Sequence, residues 1–279
     1  PNGSINQGTQ WVGAGSNVVV TATPSNGYSF LNWTGNTNGC PIAGNVITAA
    51  MTQARSITAN FLVNQHTLTV NSSQGGANPG TTLTNWGTVM SCFITNSPVT
   101  IGSTQYLANG GAVVGNAFTP VNATNVTLTL TNNATLTWGW STNYQLTPAA
   151  GPNGSINQGT QWVGAGSNVT ITATASNGYS FLAWTGNTNG CPMAGNVITA
   201  AMTQARAVVA NFALNIYTIT ATNGPNGAIS PLGAIPIGHG SNQVFTITPN
   251  PNFHILDVLV DAVSQGPTNS YSFIGVTNS

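Results

Sequence analysis

Short apolar–polar alternations, bounded by turn dipeptides, run through the whole chain. Val18, Val20 and Ala22 fall on one face of an extended run, with Val19, Thr21 and Thr23 on the other. Asn2-Gly3, Asn26-Gly27 and Asn38-Gly39 bound the early runs, since Asn and Gly tolerate the positive φ of tight hairpins. Farther along, Val126, Leu128 and Leu130 alternate with Thr127, Thr129 and Thr131. Ala134, Leu136, Trp138 and Trp140 then share one face of the next run, the strongest β signal in the chain. The alanines of 47–55 suit a helical turn, but Ile47, Ala49 and Met51 alternate and Gly44 bounds the segment, so it predicts a strand.

The pattern repeats. Residues 1–61 return as 152–212 with eight differences among 61 aligned positions. Those differences report on strand faces. Val19 becomes Thr170, which suits a wet face; Val20 becomes Ile171, which suits a core. Ile57, Ala59 and Phe61 match Val208, Ala210 and Phe212, while Thr58 is matched by Val209 on the other face. Tyr28, Phe30 and Trp33 are spaced by two and then three, which predicts a bulge near Leu31. Burying such a ring contributes about 4–6 kcal/mol gross, from ~150–250 Å² at ~25 cal/mol/Å². Trp33 is therefore read as core rather than as a sugar platform; Trp11, beside a Gly-rich turn, is the better candidate for exposure.

The reading is all-β: a tandem array of four small antiparallel β modules, at 1–64, 65–150, 151–214 and 215–279. Module two should hold strands near 66–70, 86–94, 99–107 and 125–131. In module four, Phe245 and Ile247, then Phe253 and Ile255, follow the plan of module one, with Val258 in the place of Trp33.

The core Gly-Tyr-x-Phe-x-x-Trp-x-Gly at 27–35 and 178–186, together with the terminal Ala-Asn-Phe, resembles the divergent internalin-type B-repeat. That family occurs in tandem in secreted and surface proteins of bacteria and some archaea. The resemblance implies small antiparallel β modules with extracellular spacer, stalk or adhesive roles, and rarely catalysis. Module two departs from the pattern, because the aromatic expected near Gly110-Gly111 is absent.

Charge changes the picture most. Arg55, Arg206, Asp257 and Asp261 are the only charged side chains among 279 residues, where an ordinary soluble domain is about 25% charged. Hydrophobic content is 41%, which does not suit disorder. Net charge near zero removes long-range repulsion and favours association. This points to an assembling subunit or a segment of a surface-anchored polymer; a lineage-wide low-charge surface is the plainer alternative. With no cationic patch, neither nucleic acid nor an anionic membrane surface is an expected partner. No apolar run reaches the ~20 residues that membrane insertion by a helix requires.

Candidate chemistry is sparse. His254, Asp257 and Asp261 form the one titratable cluster, and as strand residues the two carboxylates would stand about 13 Å apart, too far for a glycosidase pair. Asp261 sits where a hairpin turn should begin. His66 and His239 have no partner in sequence. There is no nucleophile elbow, phosphate loop or His–Glu metal motif, and no Lys or Glu. No catalytic, cofactor or metal site is expected, and the chain is not read as an enzyme. Each of Cys40, Cys92 and Cys191 is alone in its module. They are candidates for inter-module or inter-chain disulfides, Cys40 with Cys92 first, or else are buried thiols.

Two functional readings result. The first is a structural subunit or segment of an extracellular or cell-surface filament, stalk or sheath, its partner a further copy of itself added head to tail. Modules two and four open with strands, 66–70 and 217–222. Module one begins at its turn, and residues 276–279 stand where a closing strand should begin, so the two edges complement each other. Strands continuing in a longer protein are the alternative. The second reading is an adhesin or carbohydrate-binding array, with Trp11 and Trp162 as exposed contacts for surface glycans.

Overall fold

A computed structural model describes residues 2–279; Pro1, the first residue of the expected module one, lies outside the described residues. Among the described residues there are strands, turns and bends but no helix. The chain divides into two compact units, Pro1–Thr142 and Asn143–Ser279. The unit boundary falls inside the expected module two: residues 143–150, expected at its end, lie in the second unit.

Module three shows the complete plan. One sheet runs Gly154–Ile156, Asn168–Ala175, Val197–Ala201, Met193–Ala194. In the other, the second half of the long strand Ala134–Ala150 pairs antiparallel with Gln161–Gly164 and parallel with Arg206–Leu214, which pairs antiparallel with Tyr179–Gly186. We call the first of these the opening strand and Arg206–Leu214 the closing strand. Strand alternation sends Ile171, Ala173, Ile198 and Ala200 inward from one sheet, and Leu146, Val208, Ala210 and Trp184 from the other. Cys191 and Met202 complete that core.

Module four keeps part of this plan. Its opening strand Ile216–Ala221 pairs with Gly233–Gly238, while Gly227–Ser230, Gln243–Pro249 and Ser270–Phe273 make a three-stranded sheet. Phe245 is buried, but 253–258 is not a strand and Phe253 is exposed, contrary to the sequence pattern. Its counterpart Tyr179–Gly186 is held by a closing strand. Among the described residues no strand plays that part in module four, and 253–258 is not paired.

In module one, Gly3–Ile5, Asn17–Pro24, Val46–Ala50 and Ile42–Ala43 form one sheet, and Tyr28–Gly35 pairs with the closing strand Ile57–Val63. The register shift between Phe30 and Asn32 is the expected bulge, repeated between Phe181 and Ala183. The predicted strand 47–55 ends at Ala50; the remainder is a loop.

Module two has its opening strand Gln65–Ser72 between Thr82–Asn85 and the first half of Ala134–Ala150. Thr104–Val114 also borders Ala134–Ala150, and Phe118–Asn122, Asn125–Leu130, Thr88–Ile94 and Ala77–Asn78 form the facing sheet. Two sequence expectations are corrected. The run 86–94 begins at Thr88, because Trp86-Gly87 is a turn, and 99–107 is a hairpin, Val99–Ile101 with Thr104–Val114, turning at Gly102 (φ 59°). The aromatic absent near Gly110-Gly111 is replaced from across the sheet. A Cβ at Gly111 would lie 2.8 Å from Leu136 and 3.2 Å from the Trp138 ring, so glycine admits both into the core.

The same junction joins the two modules of each unit. Asn64 N–H donates to the Gly27 carbonyl (2.8 Å) and Trp86 N–H to the Asn64 carbonyl (2.7 Å). Asn215 N–H donates to Gly178 (2.8 Å) and His239 N–H to Asn215 (2.9 Å) in the second unit. Gly27 and Gly178 have φ of 83° and 81°, and a Cβ there would fall 2.1 Å from Trp86 and 2.3 Å from His239. A ring of the following module thus lies on a glycine of the preceding one.

Candidate functional site

The two near-identical copies differ in what surrounds them. In module three the closing strand is paired along both edges. In module one Ile57–Val63 pairs with Tyr28–Gly35 on one edge, and no described strand pairs with the other. Val208 and Ala210 are fully buried, while Ile57 and Ala59 are half-buried. Residues 161–164 form a strand against the opening strand; their copy at 10–13 is not in a strand. This puts Trp162 half-buried opposite Gln145 and leaves Trp11 fully exposed. Trp33 and Trp184, each 7% exposed, are core residues stacked at a tilt on Phe30 and Phe181, at 5.4 and 5.6 Å between ring centres.

Both arginines do one structural job. Arg206, 4% exposed, donates from Nε to the Ala201 carbonyl (2.6 Å) and from Nη1 to those of Asn187 (2.9 Å) and Asn189 (2.8 Å). Arg55 makes the same bonds to Ala50 (2.6 Å), Asn36 (2.9 Å) and Asn38 (2.8 Å), but stays half-exposed. A planar fork of donors joins the end of one strand to the loop after another. Sequence reading overlooked this clamp. Its signal was an arginine at the same point of both copies with no acidic residue nearby.

The acidic cluster does not form a carboxylate pair on one strand face. Asp261 and Ala262, with φ of 48° and 64°, form the two-residue turn between Leu259–Val260 and Val263–Ser264. Asp257 lies outside any strand and accepts from Ser264 Oγ (2.8 Å) and Gly266 N–H (3.0 Å). His254 is exposed, His66 lies in an opening strand, and His239 Nδ1 is 3.3 Å from the Tyr217 hydroxyl. Among the described residues no group of His, Cys, Asp or Glu is placed to hold a metal.

Cys40, Cys92 and Cys191 are free thiols, so the Cys40–Cys92 bridge that the sequence allowed is not formed. Cys92 and Cys191 belong to the cores of modules two and three, and Cys40 packs against that of module one. Burial pushes the Cys92 thiol above its ordinary pKa.

In module one the second edge of Ile57–Val63 has no described partner strand. In module four a cleft of about 960 Å³ is lined by the opening strand and by Phe245, Tyr271 and Phe273. Residues 1–65 and 144–216 match the divergent InlB B-repeat domain. The chain carries divergent B-repeat domains. Domains of this kind are typical of surface and secreted proteins. The second match takes in the opening strand from 144 onward, so residues 144–150 go with the B-repeat of module three and not with module two, where the sequence reading put them. A comparison with curated proteins finds no match.

Proposed function

We propose that this B-repeat chain is a structural subunit or segment of an extracellular filament, stalk or sheath, which associates through β-strand edges and has no catalytic role. The observation that carries this reading is the near-absence of charge, four charged side chains among 279 residues, on small sheets whose outer strands, such as Ile42–Ala43, are paired by a described strand on one edge. Unpaired edges favour strand addition, and an almost uncharged surface offers no repulsion against it. Electron microscopy of the native material should show ordered polymers. Material that stays dispersed as single chains at high concentration would sink the proposal.

A second reading rests on Trp11. A fully exposed indole, next in sequence to a Gln10 side chain that donates to Gln7 Oε1 (3.1 Å), suits stacking against a sugar ring. A glycan array should then give a signal that Trp11→Ala abolishes and Trp162→Ala largely keeps. An array without signal removes the adhesin reading.

A further inference from the structure

The chain enters and leaves modules two and three along neighbouring strands. In module three it enters on the opening strand and leaves on Arg206–Leu214, and residues 146–150 pair parallel with 206–210. In module two it enters on Gln65–Ser72 and leaves on the first half of Ala134–Ala150, and residues 68–72 pair parallel with 134–138. In each module the first and last strands therefore lie side by side and point the same way.

That arrangement decides how a module meets tension. The chain continues on both sides of each module. A pull along it draws the opening strand backwards and the closing strand forwards. Parallel neighbours drawn in opposite senses slide along their common axis, and the slanted, evenly spaced bonds of a parallel ladder all resist that motion together. A ladder pulled apart at one end loses the same bonds one at a time.

Several features suit the two ladders to such a load. Leu146, Val208 and Ala210 in module three, and Leu68 and Leu136 in module two, are fully buried on the core side of their strands. Gly151 N–H donates to the Ala210 carbonyl (2.8 Å), at the end of the ladder in module three. Amides alternate in direction along a strand, so Thr147 and Ala149 face the ladder with Gly151, and Pro148 places its missing N–H on the other edge. Arg206, the first residue of the closing strand, is tied by its side chain to the carbonyls of Ala201, Asn187 and Asn189. The same strand must also slide past Tyr179–Gly186, its antiparallel neighbour.

Resting on the reading of this chain as a stalk or filament segment for the source of the tension, we propose that modules two and three are tension-bearing elements. Each holds the chain closed through its parallel pair of first and last strands, and opens in a single step when that pair shears.

The test stretches the full chain by its two ends in a single-molecule force measurement. Each of the two modules should open in one step that lengthens the chain by roughly 200–240 Å, at ~3.3–3.6 Å per freed residue. Handles attached instead at residues 143 and 204, both just ahead of the first rung in module three, peel that ladder from one end, and the module should then open at a lower force. Ala149→Pro deletes one donor of the ladder and should speed the opening of module three at constant force at least about fivefold, with module two unchanged. Should that variant not fold, the two pulling directions on the parent chain decide. Equal forces in the two directions overturn the inference, as does opening of either module in several small steps under the end-to-end pull. Polymers in native material together with equal forces would defeat this inference and leave the proposed function standing. A direction-dependent force in a chain that never polymerises would support this inference and count against that function.

Discussion

At the residue scale, the arginine clamp and the buried thiol make the clearest predictions. The buried Arg206 side chain satisfies three backbone carbonyls, and Arg206→Ala leaves all three without that donor. Losing charge-assisted bonds of this kind should cost about 3 kcal/mol, read as a lower urea midpoint for the second unit. Arg55→Ala should cost less, because the Arg55 side chain is itself half-exposed where Arg206 is buried. Lysine should not rescue either, since one ammonium cannot span the fork. Cys92 sets a pH dependence with a definite sign. Its folded-state pKa is raised by burial, so above the ordinary thiol pKa the unfolded chain ionises while the folded one holds its proton. Stability from this group is therefore full at neutral pH and is lost as pH rises from about 9 through the folded-state value. Alkaline melting of the parent protein against Cys92→Val should show the fall in the parent alone.

At the element scale, the opening strand decides how well a B-repeat is packed. Leu146, fully buried, belongs to that strand, and Leu146→Ala should cost about 3 kcal/mol in a denaturant titration. An equal loss from truncating Val19, which is exposed in module one, would contradict this account. The module junction is the other element-level device. Gly178→Ala meets both a left-handed φ and the His239 ring. It should destabilise by at least ~1–2 kcal/mol from φ alone. It should also speed hydrogen exchange at Asn215 and His239, whose amides bridge the junction.

At the scale of the whole molecule, the near-absence of charge should govern solution behaviour. Apart from the thiols and tyrosines, two Asp, three His and the termini are what titrates. The melting temperature should stay nearly flat from about pH 3 to pH 8 and respond little to salt. A steep fall near pH 4 or pH 6 would show that an aspartate or histidine carries far more stability than its placement implies. The association proposed above should likewise persist at high salt, because strand pairing and apolar contact are not screened.

Much of this was legible along the chain. Alternation placed Val20, Ile171, Val126 and Leu128 inside and Val19 and Thr170 outside, since a strand's side-chain period is a local property. The spacing of Phe30 and Trp33 announced the bulge, and Asp261 its turn, because both are settled by a few neighbouring residues. Segment 253–258 was misread for the opposite reason: a strand needs a partner, and its alternation says nothing about whether one is present. The same limit separates the two copies. Fifty-three of 61 aligned residues are identical, yet Arg206 is buried where Arg55 is not, and Trp162 is half-covered where Trp11 stands in solvent. The difference comes from residues 143–150, which lie outside the repeated text and pair with it through the fold. Local sequence determined the strands, their faces and their turns; burial and open edges were decided by which strand lies alongside, a non-local pairing that only the tertiary structure supplies.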